Sequence, residues 1–319
     1  MTKYILGILI AFSLVSCNQK SKVEKEVEEI PIEIKVERFD EAFFETKPKD
    51  LQNLKAIYPF FFPEGVSDSV WIEKMENKDW RDLYQEVQNK FPDFNKQTQE
   101  IEDLFQHIKY YFPKTVVPKV YTVIAEMDYN NKAIYANDKL IIALELYLGK
   151  QHKFYQFPEY LKQNFEERQM MPDIVSSFYL RKSVPPADNT LLSNMIYAGK
   201  ELYLKDVLIP NYTDAEKIGY QPEQITWCVE NESYMWRFFI DENLLFESDS
   251  RLANRFINLA PFSKFYLEID NESPGRVGQW VGWQIVRSFM NNNEVSLQDM
   301  LKMDAKQLFE RSKYKPKKS

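Results

Sequence analysis

The chain has little of what self-sufficient chemistry usually requires: among 319 residues there are two cysteines, two histidines and eight glycines. Two cysteines cannot form a disulfide scaffold. His107 and His152 stand far apart with no cysteine beside either, and a zinc site needs three or four converging ligands. Both therefore read as ordinary structural histidines, and no metal ligand or cofactor is expected. So few glycines exclude collagen-like and glycine-rich phosphate-cradling architectures. No Gly-x-Ser-x-Gly elbow marks a serine nucleophile. Carboxylate pairs such as Glu166-Glu167 and Asp241-Glu242 arise by chance among 48 acids, so no catalytic residue is read from the sequence.

What is present is a globular composition with an export signal. Apolar residues make up 44% of the chain, enough for a sizeable core in one large or two modest domains. Met1-Thr2-Lys3 precedes an apolar run from Tyr4 to Val15, a run too short to span a bilayer. Leu14-Val15-Ser16-Cys17 then matches the bacterial lipobox, in which the cysteine thiol accepts diacylglycerol after cleavage. Residues 1–16 are thus expected to be a lipoprotein signal peptide and Cys17 the acylated first residue, joining the protein to membrane lipid. Cys228 is left without a partner, and its setting in Ile225-Thr226-Trp227-Cys228-Val229 reads as packed core.

Residues 17–31 carry alternating charge without apolar periodicity and are expected to be a flexible tether. The first charges after Cys17 are lysines, which favours a periplasm-facing position in the cell envelope. The net charge is −7, and −8 once Lys3 leaves with the signal; it is spread without long blocks, which argues against nucleic acid as a partner. Residues 313–319 form a basic tail, expected to be disordered.

Between these ends, residues 32–312 read as one mostly helical α+β domain. Ile32–Val36 alternates as a strand, and helices follow over 39–112, with Asp50 and Asp68 expected as caps. Lys119–Ala125, Ala133–Tyr135 and Leu140–Ala143 are expected to form a small antiparallel meander, turning near Asn130 and Asp138. Helices return at Asp173–Lys182, Leu191–Tyr203, Gln224–Phe239 and Arg276–Met290, with two short ones near Leu297–Met300 and Lys306–Phe309. The segment Ser273-Pro274-Gly275-Arg276-Val277-Gly278-Gln279-Trp280-Val281-Gly282-Trp283 holds three of the eight glycines. Gly278 and Gly282 share a helix face where another backbone can approach closely, and glycine in a helix costs about 1 kcal/mol relative to alanine. Tyr179, Arg181, Tyr203, Arg276 and Trp280 combine aromatic and arginine groups and are the candidate cleft residues.

Several segments resemble the GldB family of gliding-motility lipoproteins: the lipobox, Tyr147-Leu148-Gly149-Lys150, Asn194-Met195-Ile196-Tyr197-Ala198-Gly199-Lys200, Leu208-Ile209-Pro210 and Pro274-Gly275-Arg276-Val277-Gly278. The resemblance implies a lipoprotein required for movement over surfaces, with protein partners in the gliding and type IX secretion apparatus. The same segments are more remotely similar to predicted zinc peptidases, which carry a His-Glu-x-x-His helix and then a glutamate ligand beside a glycine. That similarity implies a degenerate zincin-like peptidase fold. Here the first helix falls at Asp173–Leu180, without histidine or glutamate, and alignment on Gly199 puts Ala198 at the third-ligand position with Glu201 nearby. The expected role is therefore a non-catalytic, membrane-anchored binding or scaffold lipoprotein. An envelope hydrolase acting on peptide or glycan through carboxylates or an unforeseen metal site, which alanine changes at Glu201, Asp206 and Arg276 would test, or a periplasmic ligand-binding lipoprotein, are the alternatives.

Overall fold

In the computed structural model, residues 21–317 are described, except Asn137 and Ile269. The signal segment and the lipobox Cys17 lie outside them. The chain opens with α1 (Lys22–Glu28), then β1 (Val36–Arg38), α2 (Phe39–Glu45), α3 (Leu51–Ile57), α4 (Asp68–Glu76), α5 (Lys78–Lys90) and α6 (Asn95–Tyr111). The strands β2 (Lys119–Val123), β3 (Ala133–Ala136) and β4 (Lys139–Ala143) follow. The rest is helical: α7 (Glu159–Lys162), α8 (Met170–Lys182), α9 (Leu191–Leu208), α10 (Asp214–Ile218), α11 (Pro222–Asp241) and α12 (Ser250–Phe256), then α13 (Val277–Asn292), α14 (Leu297–Lys302) and α15 (Ala305–Ser312). The mostly helical α+β class and the single domain agree with the sequence reading.

The sheet does not form the expected meander. It is four-stranded and mixed, in the order β1-β2-β4-β3. β1 runs parallel to β2 (Val36 opposite Val120), β2 parallel to β4 (Val120 opposite Leu140), and only β3 and β4 are antiparallel (Tyr135 opposite Leu140). Burial explains the difference. Val120 to Val123 and Leu140, Ile142 and Ala143 are covered, as central parallel strands require, whereas β3 alternates between buried and half-buried positions. The 124–132 connection carries the chain past β4 before β3 turns back. Glu145 pins that connection, its Oε1 accepting the backbone N–H of Ala125 (3.0 Å) and of Met127 (3.3 Å). The first strand also begins later than expected, because the Ile34 N–H donates to Glu102 (3.1 Å) instead of joining the sheet.

Helix α8 closes the outer edge of the sheet. The Tyr135 N–H donates to Ser177 Oγ (2.7 Å), and Arg181 Nε donates to the Tyr135 carbonyl (3.1 Å), so an otherwise open edge is satisfied by side chains. Helix α9 lies at the centre, packed on α8, α13 and α15. Its seam with α13 is backbone on backbone. A Cβ on Gly282 would run into the Met195 carbonyl, and one on Gly199 into Gly282. Gly278 serves a different neighbour, meeting Phe256 and Ile257 at the end of α12, so the two glycines of α13 admit two separate contacts. Asp206 of α9 locks the bundle further: it accepts from Trp283 Nε1 (2.9 Å) and Arg287 Nε (2.7 Å) of α13 and from Lys217 Nζ (3.0 Å) of α10.

Both ends of the domain are more ordered than composition suggests. The expected tether contains α1, whose Val27 is buried against the core. Glu24 meets His107 (3.3 Å), Glu26 accepts from Tyr110 (2.9 Å), and the Ile30 carbonyl accepts from Gln106 (2.9 Å), so α1 is held along α6. In the expected basic tail, Tyr314 stacks edge-on against Trp236 and donates to Glu232 (2.8 Å). The caps differ as well: Ser67, not Asp68, caps α4, and Asp50 makes no side-chain cap bond. Asp68 instead receives Lys55 (2.6 Å).

Candidate functional site

The polar side chains converge on a cleft of about 260 Å³ between α8, α9, α10 and the start of α13. From α8 come Pro172, Asp173 and Ser176; from α9, Glu201 and Lys205; from α10, Lys217; and from the α13 cap, Arg276. Lys132, just before β3, completes the charged lining. Helical spacing places these groups together. Asp173 and Ser176 share one face of α8, and Glu201 and Lys205 are one turn apart on α9. Lys205 Nζ lies 3.0 Å from Glu201, and Ser176 Oγ donates to Glu201 (2.7 Å). Lys132 Nζ lies 2.6 Å from Asp173, which also accepts from Tyr147 (3.0 Å). Burial alone would raise the Glu201 carboxyl, yet Lys205, the Ser176 hydroxyl and Arg276 outweigh it and hold its pKa below the usual value. Arg276 adopts a left-handed backbone (φ 66°), donates from Nη2 to the Gly219 carbonyl (3.1 Å) and lies over the Tyr220 ring (5.2 Å).

The zinc that the remote peptidase resemblance implies does not fit this lining. Pro172, Asp173 and Ser176 occupy the spacing of His-Glu-x-x-His, with Glu201 rather than Ala198 opposite them on α9. Proline offers no donor, the serine hydroxyl is spent on Glu201, and each carboxylate already faces a lysine. Zinc is held by several imidazole, thiolate or free carboxylate groups converging on one ion, and this set supplies none that is uncommitted. Among the described residues no group of three or more His, Cys, Asp or Glu is placed to hold a metal ion.

Of the five candidate residues read from the sequence, the structure places Arg276 in this cleft. Arg181 is exposed and lines the adjoining hollow beside β3 while capping the sheet edge. Tyr179 and Trp280 are buried in the core, Tyr179 donating to the Tyr197 carbonyl (2.8 Å), and Tyr203 is half-buried against it. Lys132, Asp173, Ser176, Lys205 and Lys217 escaped the sequence reading. The signal that could have found part of the set is the Glu201–Lys205 pair on the helix that also carries Gly199. His107 is buried, with its ring between the Asp103 carbonyl (2.8 Å) and Glu24, and His152 faces Glu86 (3.4 Å). Cys228 is buried as a free thiol whose pKa burial pushes up. A larger cavity, about 440 Å³, lies between α9 and the 182–188 and 301–305 segments. Three lysines line it, Lys182, Lys200 and Lys302, and of these Lys200 is committed to the carbonyls of Leu301 (3.1 Å) and Met303 (2.6 Å).

Fold and cleft together define a helix-rich α+β protein with a charged interhelical groove. The chain belongs to the GldB family of gliding motility lipoproteins: the family model described as gliding motility protein GldB matches residues 20–316, a span that holds every element and cleft residue above. No curated protein and no solved structure matches the chain. Among the described residues no helix is long and apolar enough to cross a membrane.

Proposed function

We propose that this protein is a non-catalytic binding subunit of the gliding machinery, held on the membrane by an acylated Cys17 and facing the periplasm beside the type IX secretion apparatus. The observation that carries the reading is the cleft chemistry. Where a zinc peptidase would present two imidazoles, a base and a third ligand, this chain presents Pro172, Ser176 and two carboxylates already paired with Lys132 and Lys205. Such a groove offers fixed charges to a ligand and no group free to activate water. The lipid end keeps the groove at the membrane, and the groove holds a protein partner there.

Two measurements test this. In cells, Cys17→Ala should move the protein from the membrane to the soluble fraction and abolish spreading over surfaces. Normal movement with a soluble form would refute the tethered role. With purified mature protein, metal analysis and incubation with peptide libraries should give no stoichiometric zinc and no cleavage; bound zinc would revive the hydrolase reading, and cleavage would establish it.

A further inference from the structure

We infer that the cleft receives the carboxylate end of a peptide chain, with Arg276 as its anchor. This rests on the binding role proposed above and names what is bound. Three of the four cleft cations are committed: Lys132 to Asp173 (2.6 Å), Lys205 to Glu201 (3.0 Å) and Lys217 to Asp206 (3.0 Å). Arg276 differs, since among the described residues its guanidinium makes one hydrogen bond, to the Gly219 carbonyl (3.1 Å), and no ion pair. A guanidinium has five N–H donors in a planar fork that matches a carboxylate at two points. This fork is also held in place. The residue caps α13 in a left-handed conformation, its guanidinium lies over Tyr220, and the Tyr220 hydroxyl is bound to the Gly275 carbonyl. A pre-oriented fork loses little side-chain entropy on binding.

Charge and size narrow the ligand. Asp173 and Glu201 line the same cleft and repel a phosphate dianion more than a carboxylate. The volume of about 260 Å³ lies below the roughly 300–1,000 Å³ of drug-sized ligand pockets, so it suits a chain end and not a whole cofactor. Leu202, Ile218 and Leu259 belong to the apolar part of the lining, and of these Leu259, 45% exposed, is the one with surface left to meet the last residue.

The test is calorimetric titration of the full mature chain in detergent with acetyl-Ala-Ala-Leu as free acid and as C-terminal amide, and with inorganic phosphate as competitor. The acid should bind about tenfold or more tighter than the amide, the loss expected when a charge-assisted hydrogen-bonded pair is removed. Arg276→Gln should erase that preference. Leu259→Asp, at an exposed position that leaves the guanidinium in place, should weaken both peptides and the acid more than the amide, because it removes their shared apolar contact and adds a like charge beside the carboxylate, which separates a lost site from a lost fold. Equal binding of acid and amide, no binding at millimolar peptide, or displacement by phosphate at equal concentration would overturn the inference. Cleavage of the peptide would instead overturn the non-catalytic role while leaving chain-end recognition standing.

Discussion

Two inward-facing glutamates sit in opposite electrostatic worlds. Glu145, in the turn that follows β4, is fully buried; one oxygen accepts two backbone N–H groups and Oε2 has no partner among the described residues. Burial dominates there and pushes its pKa up to about 7, with Lys74 contributing only weakly against it. Glu201, in the cleft, also loses water to burial, but Lys205, Ser176 and Arg276 hold it below the usual carboxylate value. Desolvation acts on both; the difference is whether cations and a hydroxyl answer it. The cleft is therefore a place where charge is maintained, and the sheet end a place where it is suppressed.

The largest expected effect breaks the comparison by moving α9. Gly282→Ala places a methyl group against the Met195 carbonyl and should cost about 3 kcal/mol or more in urea unfolding. In the folded fraction, titration should show Glu201 losing its low pKa while Glu145 keeps its high one. A cost below about 1 kcal/mol would mean the seam is looser than described.

A smaller effect, of opposite sign, comes from Glu145→Gln. Because the folded pKa of Glu145 is raised, its contribution is fully present below the unfolded value near 4.5 and is lost as pH rises through about 7. The wild type should thus lose on the order of 3 kcal/mol between those limits relative to the variant. The variant should be the more stable protein at pH 8; parallel stability curves for the two would contradict the assignment.

Glu201→Gln should be the mildest, about 1 kcal/mol at pH 7, since the amide still accepts from Ser176 while Lys205 loses its counter-charge. The folded pKa of Glu201 is lowered, so its stabilisation is present above the unfolded value and disappears as pH falls through the folded one. The variant should lack that loss in acid, which thermal melts from pH 6 downward will show.

Much of the helical frame was legible because its signals are local. Apolar spacing located α9 and α13, and Gly282 announced a close backbone contact. Strand order was less legible, because the pairing of β2 with β4 depends on where the 124–132 connection travels. Even so, the run Leu140–Ala143, apolar at every position, and Val120–Val123, broken only by Thr122, carried a hint of parallel, doubly covered strands. The cleft was the least legible part. Arg276 stood out through its Pro-Gly turn, but Lys132 and Lys217 join it only through tertiary packing. Tyr179 and Trp280 were drawn toward a cleft by residue type, whereas the structure uses their size to fill the core.

The docking of α1 along α6 sets a leash length. Only Asn18, Gln19 and Lys20 separate Cys17 from Ser21, a span of at most about 14 Å when fully stretched. In the proposed acylated form, the start of α1 would therefore stay within about 14 Å of the lipid headgroups, one to two Debye lengths at physiological salt. Whatever the groove receives would then be met by a body that cannot leave the membrane.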